Sequence, residues 1–137
     1  MDSAKRGQDQ RIADFSTHFD FLYRERLPPG DVDKIDDFTE HFVEYGFAGL
    51  PGKISPTWKV PGPDPDYEAK KRFAVENYLW HYHVGIPRYE PPRFPGNSYM
   101  TSDWVVHFQR FPGDTRIRLV DYDCHSPMHM PPLAFLF

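Results

Sequence analysis

Apolar residues fall along this chain with two different periods. From Ile12 to Leu22, the residues Ile12, Phe15, Phe19 and Leu22 follow at spacings of 3, 4 and 3, which predicts one face of a helix. Pro28-Pro29-Gly30 would end it. A second helix is predicted from Asp31, whose carboxylate can cap free backbone N–H groups. Val32, Ile35, Phe38 and Phe42 form its apolar face, and Gly46 stands where a left-handed terminal residue is wanted. The acidic residues Asp33, Asp36, Asp37, Glu40 and Glu44 lie mostly off that face. The expectation is a helical hairpin with a negative outer surface. Glycines and prolines then mark a connector over 46–66, followed by a short helix with Asp64 as cap and Pro65 in its first turn.

Beyond Asn77 the period falls to 2. Leu79 to Ile86 reads as a strand stopped by Pro87, and the proline-rich loop Pro87–Ser98 projects Arg88 and Arg93. Strands Trp104–Phe111 and Arg116–Tyr122 flank Pro112-Gly113-Asp114-Thr115, a hairpin turn signal. The order of elements predicts an α+β fold: a helical hairpin and a short helix packed on a small antiparallel sheet. Residues 1–10 read as a flexible tail and 11–137 as one domain, with the apolar end Leu133–Phe137 packed back onto it.

With Gly113 and Asp114 in the turn, Gln109 opposes Arg118, Phe108 opposes Leu119, His107 opposes Val120 and Val105 opposes Tyr122. Alternation then buries Trp104, Val106, Phe108, Ile117 and Leu119, and displays His107, Gln109, Arg116, Arg118 and Tyr122. In the first strand, burying Trp80, Tyr82, Val84 and Ile86 sends His81 and His83 to the same polar side, with His125 near the rim. A slip of one residue would scatter this set.

Composition sharpens the picture. At 137 residues, with 39% hydrophobic and 17% aromatic side chains, the chain can bury one core built from a few large rings. The lone Cys124 excludes an intrachain disulfide and a cysteine-based zinc site. No apolar run reaches the ~20 residues of a membrane span, and Met1-Asp2-Ser3-Ala4-Lys5-Arg6 lacks the apolar stretch of a secretion signal, so a cytoplasmic location is expected. A net charge of -4 argues against coating nucleic acid by bulk charge. Residues 1–50 hold 6 basic and 11 acidic side chains, whereas 51–137 hold 10 and 9. Contact with an anionic partner is therefore expected in the C-terminal part, where four of the seven histidines fall between 81 and 125.

That set of side chains suits a phosphodiester. Arg116 and Arg118 could clamp phosphate oxygens, and histidines exchange protons near neutral pH. Tyr82 and Tyr122 could stack on bases. RNA supplies its own nucleophile, the 2′-hydroxyl. The expected chemistry uses His81 or His83 as base and His125 or His107 as acid, needs no cofactor or metal, and leaves a 2′,3′-cyclic phosphate.

Over about residues 30–132 the chain resembles the YafO family of toxins from type II toxin–antitoxin systems. The resemblance lies in Gly46-Phe47-Ala48-Gly49-Leu50-Pro51-Gly52, Leu79-Trp80-His81-Tyr82-His83, Thr101-Ser102-Asp103 with Trp104-Val105-Val106-His107-Phe108, and Leu119-Val120-Asp121-Tyr122-Asp123-Cys124-His125. It implies a RelE-like domain that enters the ribosomal A site and cleaves mRNA, and an antitoxin protein that binds and silences it. By position, His81, His83 and His125 match the family's His-x-His strand and terminal histidine. His107, Arg116 and Arg118 come from the sheet-face reading. Two other functions compete. A zinc enzyme would use His81 and His83 with one of His107, His125, Asp121 or Asp123. A non-enzymatic module would bind a protein partner through its aromatic and proline-rich surface.

Overall fold

The computed structural model describes residues 10–57, 65–92, 99–125 and 129–137. Five strands form one mixed sheet: β1 (Ile12–Phe15), β2 (Ile54–Pro56), β3 (Leu79–His83), β4 (Trp104–Arg110) and β5 (Arg116–Cys124), in the spatial order β1-β5-β4-β3-β2. The α+β class is as expected. The wholly antiparallel sheet is not, because β1 pairs parallel to β5, with Ile12 opposite Arg116 and Phe15 opposite Leu119.

The predicted N-terminal helix is therefore corrected. Ala13 and Phe15 alternate inward as strand residues, and Ile12 is exposed. Ser16 makes the change of geometry: its N–H still donates to the Leu119 carbonyl, while its Oγ accepts from the Phe19 N–H and caps α1 (Thr17–Phe21). A π-helical turn, Leu22–Arg26, leads on to α2 (Pro29–Tyr45), which begins at Pro29 rather than Asp31. Pro suits the first turn because its missing N–H would have no helical partner there. Gly46 ends α2 at φ 77°, as expected.

Ile35, Phe38 and Phe42 of α2 lie on one sheet face with Tyr82, Val106, Phe108, Ile117 and Leu119, forming the main core with Phe19 of α1. The short helix α3 (Tyr67–Glu76) sends Ala74 into a second cluster with Leu79, Val120 and Leu136. Leu136 sits in a 3-10 turn, Leu133–Leu136, so the apolar end does pack back. The Asp64 cap, the Arg93 projection and the tail over 1–9 lie outside the described residues. Among the described residues no helix is long and apolar enough to cross a membrane.

The β4–β5 turn has Gly113 at φ 94° and Asp114 at φ 55°, the doubly positive backbone of a tight hairpin. From it the expected register holds for Arg110 with Ile117, Gln109 with Arg118 and Phe108 with Leu119. A bulge follows. His107 pairs with Asp121 rather than Val120, and Val106 pairs with Tyr122. An extra residue on one strand reverses which side chains face which way beyond it.

Candidate functional site

The site lies on the sheet face opposite α2. Cross-strand pairing sets His81 directly beside His107, and alternation sends His83 to the same face as His81. His125, one residue past β5, is held by its N–H donating to the Asp103 carbonyl. Ring centroids lie 5.8 Å apart for His81 and His83, 5.6 Å for His81 and His125, and 4.7 Å for His83 and His125. One ring nitrogen from each of these three falls within 4.8 Å of the others. Histidines that are 44 residues apart in sequence thus share one small volume.

Their setting differs from the exposed polar surface expected. His81, His83 and His107 are 3%, 2% and 0% exposed, and half-buried His125 is the most accessible of the four. Burial pushes His81 down to about 2, helped by its imidazole neighbours, and His83 down to about 4. Burial also lowers His125. The exposed Lys53, beside β2, adds its charge against protonation of all three. The free trio is therefore held as neutral imidazole.

Their orientation is set by further contacts. His81 Nδ1 lies 3.3 Å from Thr57 Oγ1. His83 Nδ1 lies 2.8 Å from the Ser102 carbonyl oxygen and 3.0 Å from the Ser102 N–H. With Nδ1 engaged in both rings, Nε2 is the nitrogen left for a proton, a phosphate oxygen or a metal. The Ser102 Oγ in turn accepts from the Gly85 N–H and donates to the Trp104 carbonyl, which locks the segment that holds His83. Gly52 backs it: a side chain there would run into the His83 carbonyl and Tyr82.

His107 is placed differently. It is fully buried, pushed down to about 4 by that burial, and neither ring nitrogen finds a partner among the described residues. Its centroid is 6.0 Å from that of His81. It lies beside His81 inside the protein and not on the exposed face where an acid was expected.

Arg116, Arg118, Tyr82 and Tyr122 are not brought to the trio. Arg116 and Arg118 both donate to Asp14 of β1, at 3.1 and 3.2 Å, and Arg118 also donates to the Leu136 carbonyl. Both guanidinium groups are thereby drawn toward β1, on the side of β5 away from β3. Tyr82 is on the α2 side, stacked on Phe38 with centroids 4.4 Å apart, because its parity in β3 is opposite to that of the histidines. Tyr122 was expected opposite Val105, on the same face as His107. The bulge turns it to the α2 side, where its hydroxyl donates to Asp31 at 2.9 Å.

Asp121 and Asp123, considered as metal ligands, are also engaged elsewhere: Asp121 with His18 at 3.3 Å, and Asp123 with His129 at 3.1 Å. Burial raises Asp121. Among the described residues, His81, His83 and His125 are thus the set that could hold a metal. Sequence reasoning missed Lys53, Thr57 and Asp14. Each acts through a strand pairing or loop closure that leaves no local periodic signal; only Ser102 stood within a stretch already singled out.

No family model, curated protein or solved structure matches the chain.

Proposed function

We propose that this chain is an RNA-cleaving toxin of the YafO type, with a RelE-like fold, acting on mRNA at the ribosome and silenced by an antitoxin protein. The observation that carries the reading is the trio His81, His83 and His125, with ring nitrogens within 4.8 Å and Lys53 alongside. The resemblance in the His-x-His strand and the terminal histidine supports it at the same three positions.

In this reading His83 is the base. With its proton on Nδ1, given to the Ser102 carbonyl at 2.8 Å in place of the Ser102 N–H contact at 3.0 Å, the Nε2 lone pair is left to take the proton of the 2′-hydroxyl. The 2′-oxygen attacks phosphorus and the bond to the 5′-oxygen breaks. His125, the least buried of the three, returns a proton to the departing 5′-oxygen. A phosphodiester close to His125 favours imidazolium and opposes the effects of burial and Lys53 that keep the free ring neutral. Lys53, whose charge acts on all three rings, takes the phosphate-binding role first expected of Arg116 and Arg118, and His81 completes the wall of the site. The products are a 2′,3′-cyclic phosphate and a 5′-hydroxyl.

The test is cleavage of mRNA on translating ribosomes in excess chelator, with the end groups of the fragments mapped. Cyclic phosphate ends, lost in His83→Ala and His125→Ala, are expected. Intact mRNA, or cleavage that persists in both variants, overturns the reading.

A further inference from the structure

The three imidazoles that would move protons are also three neutral nitrogen donors facing one point, which is the composition of a transition-metal site. Two of the rings are already oriented through Nδ1, by Thr57 Oγ1 and by the Ser102 carbonyl. Outer contacts of that kind orient histidine ligands in metalloproteins and leave Nε2 for the ion. His107, fully buried with both nitrogens unpartnered among the described residues, packs beside His81 with ring centroids 6.0 Å apart. Around a tetrahedral ion with nitrogens at about 2.0–2.1 Å, ligand atoms stand roughly 3.4 Å apart. Binding draws the nitrogens in from their present spread of up to 4.8 Å by turning of the rings, of which half-buried His125 has the most freedom.

We propose that His81, His83 and His125 together take one divalent ion of the borderline class, Zn2+ foremost, and that its occupancy switches off RNA cleavage. The second half rests on the function proposed above. Imidazole nitrogen suits zinc, copper, nickel and iron, whereas magnesium and calcium demand oxygen, so the two groups of ions separate sharply. The trio carries no carboxylate, and the Lys53 charge opposes a cation, so binding is reversible rather than permanent. An ion on Nε2 of His83 removes the lone pair that would take the 2′-hydroxyl proton. On His125 it removes the nitrogen that would carry a proton to the leaving group. Inhibition therefore follows from occupancy itself.

Metal-free protein titrated with Co2+, in the absence of RNA, reads the site directly. One equivalent is expected to bind at about 10 µM or tighter, with the visible absorption of a low-symmetry, nitrogen-bound ion. His125→Ala, half-exposed and so compatible with folding, should weaken binding at least tenfold, and His41→Ala on α2 should leave it unchanged. Lys53→Ala, which removes a nearby positive charge but no donor, should tighten binding a few-fold. Absence of a stoichiometric step, undiminished binding in His125→Ala or loosened binding in Lys53→Ala overturns the trio as a metal site. Cleavage that falls in proportion to Zn2+ occupancy supports the switch; cleavage unchanged or raised at full occupancy overturns it. A chain that cuts no RNA loses the switch together with the proposed function, while the Co2+ titration still decides the site.

Discussion

His107 of β4 stands directly opposite Asp121 of β5, not Val120, because β5 carries one extra residue at the bulge. That single displacement sends Tyr122 through to the α2 side and leaves Val120 in the cluster under α3. It also separates the two halves of the hairpin into different roles. Near the turn, Arg116 and Arg118 tie β5 to β1; beyond the bulge, β5 ends by delivering His125 to the histidines of β3.

Tyr122 should consequently behave as a core residue. Tyr122→Phe loses the hydrogen bond to Asp31 but keeps the ring stacked 5.1 Å from Trp104. A loss of about 1 kcal/mol in denaturant unfolding is expected, with cleavage unchanged. A base-stacking tyrosine would lose activity and keep its stability.

His107 buries two polar nitrogens without partners among the described residues, a cost of roughly 1–3 kcal/mol that an apolar side chain of similar size would relieve. His107→Leu should therefore raise the thermal midpoint. Cleavage should fall at most a few-fold, since the ring touches no substrate. Loss of cleavage in a more stable protein would instead give this imidazole a direct chemical role.

Arg118 acts as a strand tie. Arg118→Ala removes its contacts with Asp14 and the Leu136 carbonyl, with an expected loss on the order of 1–2 kcal/mol in stability. Cleavage of RNA at permissive temperature should change less than threefold. A phosphate clamp would lose more than a hundredfold at unchanged stability, so the two roles are separated by comparing midpoint with rate.

The metal-free protein should be acid-sensitive in a defined window. Unfolded imidazoles take a proton near 6.5, whereas folded His107 and His83 resist until about 4, and His81 until about 2. Between those values the unfolded chain holds more protons, so falling pH favours unfolding. This contribution is complete above about pH 6.5 and is lost as pH falls toward 4 for His107 and His83, and further down for His81, with His107 alone accounting for something on the order of 3 kcal/mol. Denaturant midpoints measured from pH 7.5 to 4.5 should drop steadily. In His107→Leu the drop should be shallower; an equal slope would show that His107 contributes nothing.

Much of this architecture was written into local pattern. The helix with Ile35, Phe38 and Phe42 inward, the tight turn at Gly113-Asp114, and the alternation that pairs His81 with His83 on one strand face all depend on nearest-neighbour geometry. Short-range rules suffice there, because 3.6-residue and 2-residue periods are properties of the backbone itself. The first segment misled the same logic. Ile12, Phe15, Phe19 and Leu22 have helical spacing, yet Ile12–Phe15 are claimed by an edge of β5 about a hundred residues away.

What the tertiary structure decided is the content of the site. Which arginines are free, which tyrosine is buried and which histidines converge all turn on one bulged residue, one parallel strand and one loop that brings Lys53 alongside. None of these has a period to read. A register shift costs little locally and is chosen by the packing of both sheet faces at once, so it is visible only when the whole layer is assembled.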